Sequence, residues 1–121
     1  MTRTMLSTAL LLAALICSAN AGERAIRSGW AVVGSDGTLV RGGNTTGATH
    51  LNTGVYEVDF ANSVKKCVYT ATVGLPGVDG TNAASFVTVA GRGSNDDGVF
   101  VTTFDQHGDP ADLGFHLNVR C

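Results

Sequence analysis

His50, His107 and His116, with the acids near them, are the residues of this 121-residue chain whose types could do chemistry. The segment Asp105-Gln106-His107-Gly108-Asp109-Pro110 sets two carboxylates around an imidazole. It can be drawn as the acid/base pair of a small hydrolase, His107 working with Asp105 or Asp109. The same residues also make a polar hairpin turn, because Gly and Asp supply the backbone conformations of a reversal. No Gly-x-Ser-x-Gly elbow or matched nucleophile accompanies them, so the turn is the preferred reading and the hydrolase the alternative. A zinc site would need the histidines clustered with a carboxylate or thiolate, and they are far apart in sequence. His50 and His116 both fall on the polar faces of predicted strands. Asn95-Asp96-Asp97, in a predicted Gly-flanked loop, offers the hard oxygens that calcium prefers, without the alternating spacing and closing Glu of an EF-hand. These are calcium candidates beside the plainer reading of solvated loop acids, and no cofactor is expected.

Two further residues have a functional and a structural reading. Asn44-Thr45-Thr46 is a formal acceptor for N-linked sugar between two predicted strands, and its meaning depends on the host. Trp30 is the single tryptophan, and a carbohydrate platform needs aromatic rings exposed together, so a core-packing role is preferred.

The elements that must position these residues read as strands. Gly is abundant at 16 and Pro scarce at 2, and Gly punctuates short β-branched and aromatic runs. Strands are predicted over residues 29–33, 38–41, 45–51, 55–60, 67–73, 85–90, 99–104 and 115–121. Tyr56, Val58 and Phe60 alternate with Glu57 and Asp59; Phe115, Leu117, Val119 and Cys121 alternate with His116, Asn118 and Arg120. Such alternation marks strands with one face buried. Ser35-Asp36-Gly37 predicts a tight hairpin between the first two strands. Breaks at 74–84, 91–98 and 105–114 read as loops, where binding would be sought. About eight short strands imply an all-β antiparallel sandwich or jelly roll, with a closed barrel as the other way to remove edges. A barrel would open a third functional reading, a small-molecule carrier whose interior is lined by residues such as Tyr69 and Phe86.

Residues 1–21 have the three parts of a secretory leader: Arg3, an apolar stretch from Leu10 to Ile16, and a small-residue end at Ala19-Asn20-Ala21. Cleavage is expected after Ala21, giving a protein secreted to the periplasm or the exterior with no membrane anchor. A lipoprotein on Cys17 is disfavoured by the bulk of Ile16. Residues 22–28 are then a short lead and 29–121 a single β-domain. The leader removes Arg3, leaving seven basic residues against ten acidic and a balance of −3. With Lys65-Lys66 the only adjacent basic pair, nucleic acid is not an expected partner. Loss of Cys17 leaves Cys67 and Cys121, which can pair in one way in an oxidising compartment. Both fall in register with apolar residues, so the expectation is a buried bridge stapling the last strand to a central one.

Four stretches, Trp30-Ala-Val-Val-Gly-Ser-Asp-Gly-Thr-Leu-Val-Arg41, Gly54-Val-Tyr-Glu-Val-Asp-Phe60, Cys67-Val-Tyr-Thr-Ala-Thr-Val-Gly74 and Phe115-His-Leu-Asn-Val-Arg-Cys121, together resemble a family of uncharacterised secreted bacterial all-β domains. The paired cysteines, one of them terminal, are the most specific element. Domains of that family often resemble a C-terminal head on a repetitive stalk, which implies display, adhesion or trimeric assembly rather than catalysis. Here only residues 22–28 stand between the leader and the domain, so a domain without a stalk is expected. The functional expectation is a secreted, non-catalytic binding, adhesion or structural module. Its partner would be a protein or glycan ligand, and it could self-associate as a homo-trimer through Thr-rich outer faces at Thr70, Thr72, Thr88 and Thr102.

Overall fold

The computed structural model describes residues 28–121. The predicted leader, Cys17 and all but the last residue of the lead lie outside the described residues. Eight strands follow in order: β1 Ser28–Val33, β2 Leu39–Gly43, β3 Thr45–Asn52, β4 Val55–Phe60, β5 Val68–Val73, β6 Phe86–Arg92, β7 Asn95–Phe104 and β8 Phe115–Arg120. They form two four-stranded sheets ordered β2-β1-β8-β5 and β3-β4-β7-β6, every pairing antiparallel. The expected eight-stranded sandwich is present. Among the described residues no helix is long and apolar enough to cross a membrane.

The period-two pattern explains the layering. Phe115, Leu117 and Val119 of β8 and Ala31 and Val33 of β1 point inward from one sheet, and Tyr56, Val58, Phe60, Val99 and Val101 meet them from the other. These buried residues come from the four central strands, while β2, β3, β5 and β6 form the edges. Phe86, proposed for a barrel interior, stands 57% exposed on the outside, while Tyr69 packs against the core. That removes the carrier reading as drawn on Phe86.

Chain reversals follow their turn chemistry. The first hairpin closes with Gly34 N donating to Thr38 O at 2.9 Å and Gly37 at φ +86°, as Asp-Gly predicts. Asn44, between β2 and β3, is the one non-glycine residue with positive φ among those described, at 55°, and its side-chain amide donates to Ser28 O at 2.8 Å. Asn tolerates this left-handed conformation better than other L residues. The sequon thus coincides with a structural corner, where the chain passes from one sheet to the other. The predicted 91–98 loop is absent: β6 and β7 join through a two-residue turn at Gly93 and Ser94, and β7 starts four residues before Val99. Cross-strand pairing of Asn95 with Arg92 overrides the polar composition that suggested a loop.

Cys67 and Cys121 are joined, with Cα atoms 4.2 Å apart, and close a separation of 54 residues. They extend the β5–β8 register by one pair beyond Val68 and Arg120. In that register Gly74 N donates to Gly114 O, so even-numbered β5 residues are hydrogen-bonded pairs and Cys67 falls at the closer, non-hydrogen-bonded kind. Two expectations need correction. Cys121 is exposed and Cys67 half-buried, so the bridge sits at the end of the sheet rather than inside the core. The last strand is itself the central one, and its partner β5 is an edge.

Each of Cys67→Ser and Cys121→Ser should lower the melting temperature, and by the same amount, because each removes one constraint. The chain-entropy value for this loop is roughly 4 kcal/mol, which for a domain near 100 residues corresponds to about 15–30 °C. Thermal melts showing unequal losses, or free thiols in the oxidised protein, would contradict the pairing. Asn44→Val should cost about 1–2 kcal/mol in urea denaturation by forcing a β-branched residue into the left-handed region.

Candidate functional site

The densest polar network lies at one end of the sandwich, where the β1–β2 turn, the β3–β4 hairpin and the 105–114 loop converge. Its centre is Asp112. One carboxylate oxygen accepts from Gly54 N at 2.7 Å and His50 Nε2 at 2.8 Å, and lies 3.5 Å from the Tyr56 hydroxyl. That hydroxyl donates to Ser35 O at 2.6 Å. His50 stacks on Tyr56 with centroids 4.9 Å apart, and Tyr56 meets Phe115 edge-on at 5.2 Å. A chain of contacts therefore runs from solvent to core.

Local backbone chemistry sets this network. Gly54, at φ +67°, turns β3 into β4 and brings its N–H to Asp112; a Cβ there would stand 2.5 Å from Thr103 O. Thr103, buried on β7, donates from Oγ1 to Ala111 O at 2.5 Å and pins the loop that carries Asp112. The Gly54 N–H, followed by the His50 imidazole, holds the Asp112 carboxyl below the usual carboxylate range. Burial, with the Asp112 charge nearby, pushes the Tyr56 phenol up to about 12. Tyr56 is therefore a neutral donor at ordinary pH.

Beside this network opens a cleft of about 530 Å³, bordered by Asp36, Val40, Leu75, Asn82, Asp112 and Leu113. Its polar lining comes from Ser35, Asp36, Thr38, Asn82 and Asp112, and its apolar lining from Val40 of β2 with Leu75, Pro76 and Leu113 of the loops. The arrangement suits positioned hydrogen bonds to a bound group. Asp112 spends one oxygen on internal donors, and Asp36 accepts from Thr38 N at 3.0 Å within its turn.

Of the sequence-derived candidates His50 falls in this network, against the plain exposed-strand reading; the others lie elsewhere. His107 is 72% exposed by side chain, with Nδ1 4.0 Å from Asp105. Asp105 accepts from the backbone N–H groups of His107 at 2.8 Å and Asp109 at 3.1 Å, the Asx geometry of a turn. Those two bonds hold the Asp105 carboxyl below its ordinary value. His116 contacts Leu75 O at 2.9 Å through Nε2. The three histidines are not brought together by any shared contact.

Asn95, Asp96 and Asp97 lie in β7, not in a loop. Asn95 donates to Asp59 at 2.8 Å and accepts from Asp97 N at 3.1 Å, while Asp96 sits 3.9 Å from Lys65. Among the described residues no three His, Cys, Asp or Glu side chains are placed to hold a metal ion. Burial and the neighbouring Glu57 push the Asp59 carboxyl up, and Arg92 pairs with Glu57 at 2.9 Å. Trp30 is 45% exposed on the outer face of its sheet, lying against Gly43 across the β1–β2 ladder, so the core assignment is corrected. A glycine opposite an aromatic leaves room for the ring to cover backbone.

His50 and Asp112 are 62 residues apart, so no local spacing could have paired them. The single hint was His50 across the ladder from Tyr56, a cross-strand neighbour rather than a motif.

The lowered carboxylates of Asp36, Asp105 and Asp112 contribute stability that is present above their unfolded values. That contribution is lost as pH falls through the folded ones, while the raised Asp59 acts with the opposite sign. Melting temperature should therefore drop below pH about 4, and Asp112→Asn should make the drop shallower. Thermal melts between acid and neutral pH check this; an unchanged slope in the variant would contradict the role given to Asp112.

No protein-family model, curated protein or solved structure matches this chain.

Proposed function

We propose that this protein is a secreted, non-catalytic binding module that displays a loop-built cleft on a disulfide-stapled sandwich. The observation that carries the reading is the use of Asp112, whose carboxylate oxygen takes hydrogen bonds from Gly54 and His50 and fixes the wall of the 530 Å³ cleft. A general base needs a lone pair directed at substrate; the engaged Asp112 oxygen is committed to the Gly54 N–H and the His50 imidazole. Rigid walls with few polar points favour recognition, because less ordering entropy is lost on binding. Secretion is part of the same proposal, supported by the leader-like N-terminus and the paired cysteines.

Self-association belongs to the proposal too. Phe86 pairs across the ladder with Phe104, and Thr88 and Thr102 hydrogen-bond beside them on the outer face. With Phe86 more than half exposed, this face carries apolar surface that a second or third copy would cover.

The alternative hydrolase makes a distinct demand. The oxidised protein should leave chromogenic esters and glycosides unturned at the rate of a His107→Ala control. Turnover that His107→Ala abolishes with the fold intact would overturn the binding reading. Light scattering should return three times the monomer mass; a monomer at high concentration would overturn the assembly part.

A further inference from the structure

The cleft of about 530 Å³ beside the Asp112 network carries charge of one sign. Asp36 and Asp112 both border it, and no Lys, Arg or His is among the described residues that line it. The hydrogen bonds from Thr38 to Asp36 and from Gly54 to Asp112 hold both carboxyls below the usual carboxylate range, so both are ionised at neutral pH. Among the described residues every hydrogen bond to Asp112 ends on Oδ1, which leaves Oδ2 free. A concave wall of low dielectric concentrates the field of two such charges and draws in a cation.

Beside the carboxylates stands apolar surface that the fold leaves uncovered. Val40 is 46% and Leu75 39% exposed, and Pro76 and Leu113 continue the wall. That wall is held in place by the backbone of its loops. Arg41 Nη1 donates to Pro76 O at 2.6 Å, His116 Nε2 contacts Leu75 O at 2.9 Å, and Gly74 N donates to Gly114 O at 3.0 Å. Arg41 and His116 are thus engaged in the frame of the cleft rather than with its carboxylates.

Asn82 supplies a third kind of group. It lines the same cleft, and its Nδ2 is buried without a hydrogen-bond partner. A buried donor left unsatisfied is a cost that an acceptor on an entering ligand would offset.

Paired carboxylates, an aliphatic wall and one orphan donor match a single chemical unit: a cation on an alkyl stem that springs from a chain bearing carbonyls. We infer that this cleft takes the side chain of a lysine or arginine in a polypeptide partner, its charged head at Asp36 and Asp112, its stem along Leu75 and Val40, and its main-chain carbonyl at Asn82. Basic side chains lay their methylenes on apolar surface while the head stays at a polar rim, and the cleft offers both. A neutral glycan has no cation for the carboxylates, and a free alkylamine has no carbonyl for Asn82. The inference rests on the binding-module reading and names its partner.

The test uses the oxidised, isotope-labelled protein with Ac-Val-Lys-Val-NH2, with its norleucine counterpart, which keeps the stem and drops the charge, and with butylammonium chloride. The lysine peptide should shift the amide resonances of Asp36, Val40, Leu75 and Leu113 and bind at least about fivefold more tightly than the norleucine peptide. That preference should at least halve between about 20 mM and about 500 mM salt. Asp36→Asn keeps an oxygen for Thr38 N and should remove most of the preference. Val40→Lys, at an exposed edge position, places a repelling charge on the wall and should abolish binding, which keeps the test open if Asp36→Asn fails to fold. Equal affinity for the two peptides, shifts confined to residues away from the cleft, or no response at about 5 mM peptide would overturn the basic-side-chain site. Butylammonium matching the lysine peptide would overturn the polypeptide partner. With no ester or glycoside turned over, such a failure falls on the ligand alone; His107-dependent turnover would bring down the binding reading itself.

Discussion

The structure depends on one contact between layers: Phe115, Leu117 and Val119 of β8 buried against Tyr56, Val58, Phe60, Val99 and Val101. Ala31 and Val33 of β1 and Val64 complete this core, and each large apolar side chain in it contributes roughly 1.5–3 kcal/mol on leaving water. Ordering entropy consumes most of that gain, so a domain this size stays marginal. β8 is where the margin is made up. It is laddered on both sides, packed from below, and joined at its end by Cys121 to Cys67.

From that core the polar end of the molecule follows. Tyr56 is buried because it belongs to the β4 inner face, and a buried hydroxyl needs a partner. It finds Ser35 O, which fixes the first turn, and His50 and Asp112 fasten the neighbouring hairpin and loop around it. The cleft is thus shaped by the demands of one buried tyrosine. Two sheets of four strands leave four edges, and β5 and β6 approach each other across the layers without sharing a ladder.

Much of this was legible in the sequence. Alternation at Tyr56-Val58-Phe60 and Phe115-Leu117-Val119 marks buried faces directly, and Asp36-Gly37 names its hairpin. Cysteine parity gives the bridge. The misread elements share a cause, since composition describes a segment without its partner. Asn95-Asp96-Asp97 looks like a loop until Arg92 pairs across from it. Trp30 looks like core until Gly43 supplies an outer shelf. The His50–Asp112 contact spans 62 residues and leaves no periodic trace. The edge position of β5 depends on strand order, which alternation alone does not encode.

Amide hydrogen exchange of the free, oxidised protein along β5 and β8 is the most direct test of the layered account. It predicts protection at every amide of β8, and alternation along β5, with Thr70 and Thr72 protected and Tyr69, Ala71 and Val73 exchanging faster. Uniform protection along β5 would mean that this strand is paired on both sides. The sheets would then close into a barrel, contradicting the two-sheet sandwich.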